Sequence, residues 1–110
     1  MKHQRLGEFE EIVMLTVGIL HGKAYGVSIK KEIEEQLDRE VSVGALQTTL
    51  RRLEKKGYLK SKHGEGSQTR GGRPKLFFTL TSAGREALQY TRESRDKLWN
   101  LIPGTVLNPG

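Results

Sequence analysis

Between Val41 and Leu59 the chain reads VSVGALQTTLRRLEKKGYL, and its polar residues are spaced for contact with a polyanion. At 100° per residue, Gly44, Thr48, Arg51, Arg52 and Lys55 share one side of a helix, with Gln47 beside them. Guanidinium and ammonium groups neutralise phosphates, whereas an amide or hydroxyl can hydrogen-bond a base edge. A glutamine in particular can pair with adenine. Glycine adds no side chain, so a ligand can come close to the backbone. The opposite side carries Val43, Leu46, Leu50 and Leu53 at three- and four-residue steps, which predicts a buried stripe. Ser42 is placed to cap this helix at its start and Gly57 to end it in a left-handed turn.

Other chemistries find little support. His3, His21 and His63 lack metal-ligand spacing, and the chain has no cysteine. The glycine-rich segment GEGSQTRGGR, residues 64–73, is not followed by the Lys-Ser/Thr of a nucleotide-binding loop. No nucleophile elbow or paired carboxylates stand out. The expectation is a protein that is not an enzyme and needs no metal or cofactor.

Net charge is +6 over 110 residues, and its distribution is uneven. Residues 51–75 hold nine Lys or Arg against Glu54 and Glu65, so the entire excess lies in one block directly after the proposed contact helix. Such a localised excess is the electrostatic footprint of a nucleic-acid-binding surface. The absence of cysteine, of a membrane-length apolar run and of a signal-peptide core predicts a cytoplasmic protein.

The elements around this helix follow from periodicity. Glu8 to Leu20 predicts a helix whose apolar residues cover more than half its circumference, which suits a central helix or one that also meets a second chain. Tyr25 or Gly26 to Arg39 predicts another, with Ile29, Ile33 and Leu37 inward, and with Lys30–Glu34 and Lys31–Glu35 as exposed pairs. Tyr25 is expected to pack at its start. The short link Glu40-Val41 makes these last two helices a helix-turn-helix. Tyr58 to His63 and Leu76 to Leu80 then predict a two-stranded hairpin with a long mobile tip, in which Leu76, Phe78 and Leu80 share a face. Lys62, Arg70, Arg73 and Lys75 on this wing can reach phosphates or a minor groove. Thr81 or Ser82 caps a final helix to about Leu101 or Ile102. One of its stripes holds Ala83, Ala87, Tyr90, Ser94, Leu98 and Leu101, while Leu88, Trp99 and Ile102 point more than 90° away. One small domain cannot bury both, which predicts a homodimer with Phe9, Val13, Leu88, Leu98, Trp99 and Ile102 in its interface. Trp99 suits a dimer core or a platform for a planar ligand.

The fold expected is mainly α (α+β), a winged helix-turn-helix over residues 1–80 with a dimerisation helix over 81–102 and a flexible tail over 103–110. A winged helix used for protein–protein assembly, or a wing that binds RNA, is the alternative to duplex DNA.

VSVGALQTTLRRLEKKGYL, preceded by LGEFEEIVMLTVGIL and AYGVSI and followed by GGRPKLFFTLTSAG, resembles the PadR family of bacterial transcriptional regulators, here over roughly residues 6–102. The length resembles the short subfamily with a single C-terminal helix. The resemblance implies a dimeric winged-helix repressor, with Ser42 to Lys56 as recognition helix and the wing between Lys62 and Lys75. Two such helices related by a two-fold predict an inverted-repeat operator. Some members of the family sense aromatic or phenolic compounds, some between tryptophans at the dimer interface, the region of Trp99. Gln47 stands where a tyrosine is common, Leu76-Phe77-Phe78 replaces a more basic strand, and Ser82 replaces a common proline.

Overall fold

The computed structural model describes residues 5–64 and 75–110. Helix α1 (Glu8–Leu20) is the central element, packed against α2 (Gly26–Leu37), α3 (Val43–Lys55), strand β2 (Leu76–Leu80) and helix α4 (Ser82–Leu101). Its inner face, Val13, Met14, Thr16 and Val17, is buried, while Leu15 and Ile19 on the outer face are exposed. The broad apolar circumference read from the sequence is therefore divided between core and surface. Val13 is fully buried in this chain's own core, so it offers nothing to a second chain and leaves the expected dimer interface.

Helix α2 ends at Leu37 rather than Arg39, because Asp38 turns into the left-handed region at φ 51°. Its exposed face is not wholly free. Glu34 accepts hydrogen bonds from Lys30 Nζ at 3.0 Å and from the Val41 backbone N–H at 2.8 Å, so this carboxylate pins the link into α3. The Val41 N–H, then Lys30, hold the Glu34 carboxyl below its ordinary value. The expected Lys31–Glu35 pair does not form among the described residues.

Strand β1 (Leu59–His63) pairs antiparallel with β2, Leu59 opposite Leu80 and His63 opposite Leu76. Phe78 is buried, Leu80 half-buried, and Leu76 at the open end exposed, so the common face enters the core progressively. The Phe78 N–H donates to the Ala24 carbonyl at 2.8 Å, tying the wing to the turn between α1 and α2. The expected mobile tip and its Arg70 and Arg73 lie outside the described residues.

On α4 the buried positions are Gly84 and Ala87, with Leu88 half-buried against the core. Ala83 and Tyr90, expected in the buried stripe, are exposed. Arg95 reaches Glu11 of α1 at 3.1 Å. Beyond that contact Leu98, Trp99 and Leu101 are exposed. The aperiodic tail contains one helical turn, α5 (Gly104–Leu107), whose Val106 and Leu107 are also exposed.

Candidate nucleic-acid interface

Helix α3 is built as its sequence requires. The Ser42 hydroxyl accepts from the Ala45 N–H at 3.1 Å, occupying one orphan donor of the first turn. At the other end Gly57 takes φ +84°, with Gly57 N–H donating to the Glu54 carbonyl and Tyr58 N–H to that of Leu53, both at 3.0 Å. That pair of bonds is the Schellman arrangement, and the buried Leu53 and Tyr58 supply its apolar contact.

The buried side of α3 is Leu46, Thr49, Leu50 and Leu53. Val43 is not part of it, being 60% exposed at the first helical position. One hundred degrees per residue places Thr49 at the edge of that stripe, about 40° beyond Leu53 and about 60° from Leu46, and the core claims it despite its hydroxyl.

The outer side presents Gly44, Gln47, Thr48, Arg51 and Lys55, all exposed. Among the described residues nothing requires glycine at 44, where an added Cβ would come no nearer than 3.8 Å to the Ser42 hydroxyl. A glycine weakens a helix by up to about 1 kcal/mol relative to alanine, so its use here points to close approach from outside. The Gln47 amide lies over Gly26 of α2, where a Cβ would stand 3.1 Å from its Nε2.

The cations of this helix fall into two groups. Arg51 and Lys55 make no ion pair among the described residues. Lys56 and Arg52 turn instead toward Glu10 of α1, at 2.8 and 3.9 Å. Burial raises the affinity of Glu10 for a proton, but the Lys56 hydrogen bond, the Gly7 N–H and the nearby charges outweigh it and hold the carboxyl below its ordinary value. Arg52 thus belongs partly to the scaffold, a role that sequence proximity to Arg51 concealed. Glu54, the nearest acid in the chain, is occupied by the Ser61 hydroxyl at 2.6 Å.

A depressed carboxylate pKa contributes stability that is full above the ordinary glutamate value near 4.5 and lost as pH falls through the lower folded value. Glu10→Gln is expected to cost about 2 kcal/mol at neutral pH, the scale of a hydrogen bond to a charged group. Its stability should also fall less between pH 5 and 3 than that of the parent chain. Urea titrations across that range measure both effects, and parallel pH profiles would refute the pairing.

On the wing Lys62 and Lys75 are both exposed, and the Lys75 ammonium lies 4.4 Å from the centre of the Tyr25 ring. Tyr25 also meets Phe77 with ring centroids 5.4 Å apart, so it packs as expected and braces the wing against the start of α2. Among the described residues no His, Asp or Glu cluster could hold a metal ion, and no helix is long and apolar enough to cross a membrane.

A short two-stranded wing following α2 and α3 is the winged-helix arrangement, and residues 15–90 match the profile of the transcriptional regulator PadR-like family. The chain belongs to that family. Among solved structures, this PadR-like chain is similar to a PadR-like transcription factor from Bacteroides fragilis, with 27% identity and a TM-score of 0.70. That likeness covers 93% of this chain and 89% of the other. A PadR family transcription regulator from Clostridium difficile gives 26% identity and a TM-score of 0.66, covering 93% and 99%. The Halobacterium salinarum protein RosR, at 24% identity, a TM-score of 0.71 and coverage of 93% and 84%, shares the fold. A search of curated proteins found no match.

Of the expected contact residues, α3 brings Gly44, Gln47, Thr48, Arg51 and Lys55 together, with Ser42 at their edge as the cap. Arg52 is shared with Glu10, and Lys75 is held on Tyr25. For the expected dimer surface, Phe9 and Leu88 are half-buried against this chain's own core, Phe9 beneath the Arg39 guanidinium at 5.6 Å. Leu98 and Trp99 are exposed and Ile102 half-buried. The sequence offered no sign of Lys56 and Glu10 as partners, since 46 residues separate them.

Proposed function

We propose that this PadR-like chain is a homodimeric repressor that binds an inverted-repeat operator in duplex DNA through α3. The observation that carries the reading is the exposed ridge of Gln47, Arg51 and Lys55, whose cations have no protein partner among the described residues. In a two-fold dimer, two such helices would enter successive major grooves about 34 Å apart. Lys62, Lys75, Arg70 and Arg73 are the wing residues proposed to meet the backbone. Exposed Leu98 and Trp99, with Ile102, Leu88 and Phe9 beside them, are the proposed dimer surface. Such a regulator works in the cytoplasm, beside the chromosome. Its release by a small aromatic compound is the companion proposal, supported by an open depression in which Trp99 stands with Arg95, Asp96, Leu98 and Ile102. An effector must prefer one arrangement of the two heads over the other to shift binding.

Titration with selected and scrambled duplexes at rising salt tests the reading. If roughly six phosphates are neutralised per dimer, log affinity falls against log salt with a slope near −5. Affinity indifferent to sequence at every salt concentration would reject it. Planar aromatics added to the complex should quench Trp99 fluorescence and release DNA, and a flat response across the panel removes the effector.

A further inference from the structure

The valine at the head of α3 is exposed and lies outside the buried core of the described residues. Val43 is β-branched, a poor choice for a wet helix position, and the core is completed by Leu46, Thr49, Leu50 and Leu53. It stands at the rim of a mostly apolar depression that includes Val27 at the start of α2 and Leu76 at the open end of the wing. Both of those are exposed as well. The volume, about 270 Å³, lies under the roughly 300–1,000 Å³ range of small-molecule pockets.

Position decides what the depression meets. The first residues of a recognition helix are those that meet base edges. Val43, Gln47 and Arg51 follow one another at four-residue steps, a single ridge of about 6 Å per step. In the major groove the one apolar group on a base edge is the thymine 5-methyl. Uncharged and without donors, Val43 and the apolar rim can add nothing to phosphate binding. We propose that Val43 is a specificity-determining residue that reads thymine through this methyl group, one turn before Gln47. The inference rests on the DNA-binding reading given above and extends it to a base identity.

Duplexes selected from a random pool by the purified full-length protein provide the substrate, and each thymine in one half-site is replaced in turn by uracil. Uracil differs only by the missing methyl and leaves pairing and phosphate charge unchanged. At one thymine the parent protein should lose about fourfold in affinity per half-site, the affinity ratio that corresponds to burying one methyl-sized group. Val43→Ala, a change at an exposed position compatible with helix, should lose a similar factor on thymine DNA and be indifferent to uracil there. Its salt slope should match the parent's. Specific binding by a parent protein that ignores uracil at every position overturns the role of Val43 alone, as does a Val43→Ala variant as methyl-sensitive as the parent. Failure to select any sequence overturns the DNA-binding reading itself.

Discussion

Arg51→Ala weakens binding to a selected duplex about a hundredfold, whereas Arg52→Ala, its neighbour of equal charge, weakens it about threefold. The difference follows from what each guanidinium already does. Arg51 lies on the ridge with Gln47 and has no protein partner among the described residues, so its contact with DNA is lost outright. A charge-assisted contact of about 1.5 kcal/mol, counted once in each half-site of a dimer, amounts to about 3 kcal/mol, or roughly two decades in affinity. Arg52 is only half exposed and stands 3.9 Å from Glu10, so much of its field is cancelled. Its removal chiefly relieves Glu10 of one of two cations. Fluorescence anisotropy at fixed salt measures the affinities, and circular dichroism should show both variants folded. Equal losses for the two arginines would refute the division of α3 into a contact group and a scaffold group.

The parts of this molecule legible in its sequence are those governed by short-range physics. The limits of α1 and β2 and the cap at Ser42 depend on periodicity and on bonds spanning three or four residues. The turn at Gly57 likewise needs only a residue that tolerates positive φ. Gly44, Gln47, Thr48, Arg51 and Lys55 were found together because one helix suffices to place them together. What stayed hidden depends on neighbours remote in sequence. Val43 fits the apolar repeat of α3 as well as Leu46 does, but it stays exposed while Val41 and Leu46 on either side of it are buried, and only the packing of α2 and β2 reveals that. Val13 looked available to a partner because periodicity counts apolar faces without knowing how many elements of the same chain will cover them. Glu34 read as half of a surface pair, and its bond to the Val41 N–H shows that it also holds the turn. Glu10 is the clearest case. It is one of three acids opening α1, with nothing in the sequence to set it apart, and only the crossing of α1 and α3 makes it the anchor of Lys56.

Gly84→Ala destabilises the fold by about 3 kcal/mol, although helix propensity alone would favour alanine by up to 1 kcal/mol. Gly84 is the third residue of α4, and a Cβ built there runs into the backbone carbonyl of Tyr58. Tyr58 cannot easily give way. Its carbonyl accepts from the Thr81 N–H at 3.1 Å, its N–H closes the turn at the end of α3, and its side chain is buried. The Thr81 hydroxyl also donates to the Gly57 carbonyl while accepting from the Gly84 N–H, so the start of α4 and the end of α3 form one bonded joint. Relief therefore requires shifting a helix axis, at the cost of overpacking in a rigid region. By contrast Gly57→Ala meets no atom within 4 Å and should lose only about 1 kcal/mol, from its positive φ. Urea unfolding of the two variants separates steric from conformational cost. A Gly84→Ala chain as stable as the parent would mean that α4 is not seated on Tyr58. Where the variant still folds, the same displacement alters the angle at which α4 leaves the winged helix. Its affinity for an inverted repeat should then depend on half-site spacing differently from the parent's, since α4 carries the surface proposed to pair the two heads.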